Sequence, residues 1–227
     1  MKEHTYKCIF GLVIGFCFML TSMAIDVDDP MPTINTTPAI IKDSIPDSII
    51  SKVDESTIRN YKISNGQTII KNIRPNFTET ECLNLATLIY DECERTGIEY
   101  SYALALIQAE SRFNYKAISK AGASGLMQIM PSTFVSIANK HGYPYNKNDI
   151  HDLQKNVRIG MLFIHRLKKK YEKNELVSAG YNGGPKVALK YKSYLNGDKS
   201  ASIPNETKKY VIAVNTNYQT YRKILGE

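Results

Sequence analysis

From Thr78 to the last residue, apolar positions recur every three or four residues, which is the period of an amphipathic α-helix. Thr78 precedes Glu81 by three residues, a capping-box spacing that predicts a helix ending near Thr96-Gly97. Further helices are predicted over residues 100–113, from Pro131, over 152–172, on each side of 182–185, and from about Pro204 to Leu225. The pattern predicts an all-α fold in which residues 78–227 form one domain.

The first 24 residues have the composition of an export signal. Lys2 and Lys7 give a short basic start, an apolar run follows, and Ser22-Met23-Ala24 places small residues where a signal peptidase cleaves. The alternative is an uncleaved anchor, with membrane association through residues 8–25. Both interpretations predict an exported protein of the periplasm or cell envelope.

Residues 25–77 are rich in Asp, Pro and Thr and show no sustained hydrophobic period. This composition is typical of a linker or stalk, so we expect a mostly unstructured N-terminal extension. Asn65-Gly66 is the exception, because it lies between two β-prone runs and predicts a small hairpin.

Cysteine and histidine spacing argues against disulfides and metals. Cys82 and Cys93 lie on one predicted helix, about 16 Å apart, whereas a disulfide needs less than about 7 Å. We expect buried free thiols. His141, His151 and His165 lack ligand spacing, so no metal or cofactor is expected.

The predicted domain is basic, with 21 Lys and Arg against 14 Asp and Glu in residues 78–227. A basic exported domain suits a polyanionic partner such as wall peptide carboxylates, anionic lipid or nucleic acid. Nucleic acid is disfavoured, because the basic residues are dispersed apart from Lys168–Lys170.

Glu110 is the one ionisable residue with unusual surroundings. It ends a run of apolar residues and is the only acid between Glu99 and Asp149. A helix that is apolar on every side is buried, and burial raises the pKa of a carboxyl, as a general acid requires. The alternative is a helix end at which Glu110 emerges into solvent.

Four sequence blocks follow one another around this residue: Glu110-Ser111 with Phe113-Asn114, Gly122–Pro131, Tyr181–Pro185, and Glu206-Thr207 with Tyr210-Val211. Over residues 85–225 this series resembles the lytic transglycosylases of bacterial cell walls. The resemblance implies a goose-lysozyme-like fold and a peptidoglycan glycan strand as substrate. It also implies cleavage between N-acetylmuramic acid and N-acetylglucosamine, with formation of a 1,6-anhydro end.

The resemblance also implies residue roles. Glu110 matches the catalytic acid and base, and the residues matching positions around the sugar are Ser119, Gln128, Met130, Tyr181, Asn182, Glu206 and Tyr210. Several of these have plain structural alternatives: Met130 as core filling, Ser119 as a turn hydroxyl, Tyr210 as a helix-face aromatic and Glu206 as helix N-terminal charge.

Two rival functions stay open. The same fold and acid would serve a lysozyme-like hydrolase, in which water attacks the sugar. A non-catalytic wall-binding component of envelope machinery would keep the fold without the chemistry. A serine hydrolase is disfavoured, because the sequence Gly122–Gly125 is not a Gly-x-Ser-x-Gly elbow.

Overall fold

The computed structural model describes residues 54–198 and 200–227. Seven α-helices account for most of these residues, and a short 3₁₀ helix, Lys147–His151, precedes the fifth. Within the described ranges, β structure is limited to isolated bridges joining Ser124 to Ile118 and to Ile129. The helices are α1 Glu55–Ile73, α2 Glu79–Thr96, α3 Tyr100–Ser111, α4 Pro131–Lys140, α5 Leu153–Lys170, α6 Asn174–Leu195 and α7 Asn205–Leu225.

The predicted all-α fold is confirmed, and local sequence explains several helix ends. The Thr78 hydroxyl accepts a hydrogen bond from the Glu81 amide while the Glu81 carboxylate accepts from the Thr78 amide, which completes the capping box of α2. Pro131 opens α4, where a missing amide hydrogen costs nothing. Cys82 and Cys93 are both free and buried on α2, as predicted.

The predicted hairpin at Asn65-Gly66 is wrong, because both residues lie inside α1. The Asn65 side chain donates to the carbonyl of Tyr61 one turn earlier, as it does in a helix and not in a turn. Gly66 meets a tertiary requirement instead: a Cβ atom there would lie 2.0 Å from the Tyr100 hydroxyl. The glycine therefore permits close helix packing.

Helix α1 belongs to the helical core, so the predicted linker does not extend through residues 55–73. Ile63, Ile69 and Ile70 of α1 are buried. Lys62 also forms an ion pair with Glu227 at 2.8 Å, and the other oxygen of Glu227 accepts a hydrogen bond from the Ser101 amide. The domain thus includes a helix before residue 78, which connects α1 through Glu227 to the first turn of α3.

Helix α3 runs through the centre of the molecule. Its residues from Tyr100 to Ile107 are all buried, as expected for a helix that is apolar on every side. It packs most extensively along α7. The Tyr102 and Tyr218 rings meet edge to face with centroids 5.5 Å apart, and the Tyr102 hydroxyl bonds to Ser178 of α6. The central helix is therefore held on two sides.

Helix α6 is bent at Gly184, whose backbone angles of φ 77° and ψ −179° are not helical. Pro185 follows and opens the second half. A Cβ atom on Gly180 would lie 3.5 Å from that of Ala188, so the two halves fold back on each other. The sequence predicted two helices around 182–185, and the bend confirms that interpretation.

The predicted signal segment, the possible anchor at 8–25 and the linker over 25–53 lie outside the described residues. Among the residues that the structure does describe, no helix combines the length and the apolar character needed to cross a bilayer.

Candidate active site

Glu110 lies in the last turn of α3, where the chain reverses sharply. Arg112 and Phe113 follow with φ of 50° and 60°, two successive non-glycine residues in the left-handed region. Phe113 is completely buried, which holds this backbone in place. The end of α3 is thus fixed immediately after the carboxyl.

Glu110 is only 9% exposed, so the prediction of a buried carboxyl is confirmed. Burial raises its pKa from 4.5 to about 8, because the apolar surroundings disfavour the anion. The Tyr210 hydroxyl donates a 2.6 Å hydrogen bond to Oε1 and partly opposes this effect, since it stabilises the charged form. At neutral pH the side chain is therefore mostly protonated.

The loop before α4 is built around Gln128, whose φ is 45°. The Gln128 side-chain amide donates to the carbonyls of Gly125 and Ala117, at 2.8 and 3.0 Å. Asn156 of α5 supports the same loop, because its Oδ1 accepts from the Met127 amide and its Nδ2 donates to the Ser124 carbonyl. This network fixes the shape of the loop.

Sequence reasoning missed Asn156. It lies on the buried face of α5 with Val157 and Gly160, and a polar residue in that apolar stripe is the feature that would have revealed it. Gly125 explains the close fit, because a Cβ atom there would lie 2.3 Å from the Asn156 amide nitrogen.

Tyr181 connects α6 to this loop. Its buried hydroxyl donates a 2.7 Å hydrogen bond to the Met127 carbonyl, and its ring packs on Phe163 with centroids 4.9 Å apart. Burial raises the pKa of Tyr181, and the charge of Glu110 raises it further, which places the two side chains in one electrostatic environment. The Tyr181 hydroxyl therefore holds the loop in place through its bond to Met127.

Asn182 is buried, and its Oδ1 accepts a 2.8 Å hydrogen bond from the Thr207 hydroxyl of α7. Thr207 belongs to the block Glu206-Thr207, but the resemblance implies no role for it. The bond attaches the Asn182 side chain to α7. Thr207 therefore helps to position this side chain.

The remaining predicted site residues are Ser119, Met130 and Glu206. The Ser119 hydroxyl accepts from the Ala123 amide at 3.0 Å, as a turn residue does. Met130 is half-buried and immediately precedes α4. Glu206 is exposed in the first turn of α7, where partial burial raises its pKa. Direct contacts thus join Glu110 with Tyr210, Tyr181 with the loop, and Asn182 with Thr207.

Residues 54–198 and 200–227 contain no group of three His, Cys, Asp or Glu side chains that could hold a metal ion.

The fold and the buried carboxyl together define the class: a lysozyme-like helical domain with one protonated acid at the end of an apolar central helix. The family is given by sequence comparison. The Transglycosylase SLT domain matches residues 87–203, more than half of the 227-residue chain, and the chain belongs to this family.

Individual relatives agree with this assignment. Over 139 residues the chain is 33% identical to the soluble lytic murein transglycosylase of Escherichia coli K12, covering 57% of this chain and 22% of that protein. It is 28% identical over 181 residues to the membrane-bound lytic murein transglycosylase C of Edwardsiella ictaluri, covering 66% and 50%. The chain thus spans half or less of each relative.

The structural comparison gives the same result. The 70 kDa soluble lytic transglycosylase of Escherichia coli superposes with a TM-score of 0.55 and 28% sequence identity. The match covers 78% of this chain and 32% of that structure.

Proposed function

We propose that this chain is a peptidoglycan lytic transglycosylase that cleaves the β-1,4 bond between N-acetylmuramic acid and N-acetylglucosamine. The observation that carries the proposal is Glu110, a buried carboxyl with a pKa of about 8 at the end of the apolar helix α3. With that pKa, about nine-tenths of the side chain holds its proton at pH 7. It is therefore able to act as a general acid at neutral pH.

In the first step Glu110 protonates the glycosidic oxygen, and the bond to C1 of the muramic sugar breaks. The positive charge at C1 is stabilised by the substrate's own N-acetyl group. Glu110 is then an anion, and it removes the proton from the C6 hydroxyl of the same sugar. The C6 oxygen bonds to C1, which gives a 1,6-anhydro end and regenerates the acid without consuming water.

The surroundings of Glu110 support a mechanism with one carboxyl. Its pKa is shifted by burial and by Tyr210, and no second acid in the described part of the chain contributes to that shift. Glycosidases that hold two carboxyls place a nucleophile or base beside the acid. Here the nucleophile belongs to the substrate, so the reaction gains from intramolecular proximity.

Tyr210 has a defined part in this cycle. Its hydroxyl donates to Glu110 Oε1, so it stabilises the anion that forms after the first proton transfer. The bond brings the pKa of Glu110 down towards neutrality, where the carboxyl can both release and recover a proton. Asn182 and Gln128, each fixed by a polar network, provide the amide groups that we expect to orient the sugar.

The deciding experiment is digestion of purified peptidoglycan, followed by mass spectrometry of the released muropeptides. A transglycosylase gives anhydro ends that are lighter by one water molecule than the reducing ends made by a lysozyme-like hydrolase. Reducing ends alone would contradict the proposal in favour of the hydrolase.

The variant Glu110→Gln tests the acid directly. We expect about 10²- to 10⁴-fold lower activity, because glutamine cannot supply the proton. Glu172→Gln is the matched control, since it makes the same change at an exposed acid. If Glu110→Gln digests walls at the normal rate, the mechanism is wrong. A folded wild-type protein that binds walls without releasing fragments would favour the non-catalytic wall-binding alternative.

A further inference from the structure

One buried side chain of α5 holds both arms of the loop that contains Gln128. The loop reverses between Ser124 and Ile129, whose amides donate to each other's carbonyls at 3.0 and 3.2 Å. Asn156 Nδ2 donates to the Ser124 carbonyl, and Asn156 Oδ1 accepts from the Met127 amide, each at 3.0 Å. Asn156 therefore spans the turn from one arm to the other.

The Asn156 amide also connects the loop to the 3₁₀ helix. Its Nδ2 donates to the Ile150 carbonyl at 3.0 Å, and the residue is only 1% exposed. If the amide turned over, its oxygen would face two carbonyls and its nitrogen would face the Met127 N–H, so the bonds permit one orientation alone. The loop is therefore fixed to two neighbouring elements through a single side chain.

Helix α5 also leaves space for the loop one turn further along. A Cβ atom on Gly160 would lie 2.5 Å from Met127 Cγ, which is too close for both atoms. Asn156 and Gly160 are both buried on α5, four positions apart, and so lie on the same face of the helix. This face therefore supplies both the hydrogen bonds and the room that the loop needs.

Gln128 depends on this support, because its backbone conformation is unfavourable. Its φ of 45° is in the left-handed region, which a non-glycine residue keeps only where its surroundings hold it. The hydrogens of its side-chain amide are directed to the carbonyls of Gly125 and Ala117. The amide can therefore offer a sugar only its oxygen, and the position of that oxygen depends on the loop.

We propose that Asn156 is a positioning residue that fixes the Gln128 side-chain oxygen where it accepts a hydrogen bond from the sugar. The proposal rests on the proposed function, because it takes Gln128 as a contact of the glycan strand. Asn156 acts only through the loop, since it is buried against it. The acid is independent of this network, because the pKa of Glu110 depends on burial and on Tyr210.

The kinetic test compares Asn156→Ala with the wild type on soluble glycan strands. KM is expected to rise roughly tenfold, the effect of one misplaced hydrogen bond, while kcat changes by less than about twofold. The alkaline limb of kcat is expected to stay in place. Arg158→Met is the control, because it lies on the same helix but bonds to Glu92 of α2. An equal rise of KM in both variants would overturn the proposal.

A double variant tests whether Asn156 acts through Gln128. Gln128→Ala removes the proposed contact, so adding Asn156→Ala to it is expected to raise KM no further. If the two increases multiply instead, Asn156 affects binding by another route, and the proposal is wrong.

Gly160→Ala provides a second variant in case Asn156→Ala does not fold. Alanine favours the helix, but its methyl group displaces Met127 and hence the loop. Amide hydrogen exchange at Met127 and Gln128 is expected to become faster, and KM is expected to rise. A folded variant with faster exchange in the loop and a normal KM would overturn the proposal.

Binding to the inactive protein separates this proposal from the proposed chemistry. Glycan strands are titrated by calorimetry into Glu110→Gln, with and without Asn156→Ala. The added change is expected to weaken binding by the same factor by which it raises KM. Equal affinities would overturn the positioning role and leave the acid unaffected. Reducing ends from the wild type would contradict the transglycosylase reaction, whereas this difference in affinity would still hold.

Discussion

Replacing Glu110 with glutamine is expected to stabilise the protein increasingly as the pH rises. The folded state holds the Glu110 carboxyl with a pKa of about 8, whereas in the unfolded chain it returns to about 4.5. Between these values the folded state binds more protons than the unfolded state, so the stability of the wild type falls with rising pH. Glutamine fills nearly the same volume and does not titrate.

The expected magnitude follows from the two pKa values. One pKa unit corresponds to 1.36 kcal/mol. Linkage therefore lowers the free energy of unfolding of the wild type by about 3.5 kcal/mol between pH 5 and pH 8, and the variant does not lose this stability. For a domain of this size, the difference corresponds to a shift of roughly 7–14 °C in unfolding temperature.

The assay is urea unfolding of wild type and Glu110→Gln at pH 5, 6, 7 and 8. The stability difference between the two proteins is expected to grow with pH, and to level off above about pH 8. Glu172→Gln is the control, because it makes the same substitution at an exposed acid. A Glu110→Gln difference that stays constant from pH 5 to pH 8 would refute the inference that burial raises the pKa of Glu110.

Two further predictions concern the surroundings of the site, and a third concerns a buried ion pair. Tyr210→Phe removes a hydrogen bond that lowers the pKa of the acid, so the alkaline limb of kcat/KM should move to higher pH; an unchanged limb would contradict this role. Thr207→Val should lower kcat/KM on wall fragments roughly tenfold while Thr207→Ser stays near wild type, because only serine keeps the bond to Asn182; equal activities would exclude an orienting role. Arg158→Met should cost up to about 3 kcal/mol in urea unfolding, because it leaves the buried Glu92 with only a longer, 3.5 Å ion pair to the exposed Arg95. Arg59→Met, in an exposed pair, should cost under about 1 kcal/mol; similar losses would refute the distinction.

Local sequence predicted the helices well where a helix end depends on nearby residues. The Thr78 capping box and Pro131 act within one turn, so their effect is visible in the sequence. The hairpin predicted at Gly66 was wrong because the need for glycine there is not local. The requirement for glycine comes from Tyr100, thirty-four positions later, and the local pattern of Asn-Gly between β-prone residues gives no indication of it.

The site was predictable from the sequence only where it depends on neighbouring residues. Burial of Glu110 followed from the apolar run before it, and the structure confirms it. The hydrogen bonds made by Asn156, Thr207 and the Tyr181 hydroxyl join residues 25 to 54 positions apart. Spacing along the chain cannot reveal such partners, because the approach of the helices decides which polar groups meet.

The contact between Gly66 and Tyr100 also limits how the two positions can evolve. Helix α1 approaches so closely that the phenol ring of Tyr100 occupies the space of a side chain at position 66. A relative that gains a methyl group at position 66 must therefore have a smaller residue at position 100, or its α1 must stand further from the central helix. Substitutions at these two positions should consequently covary across the family.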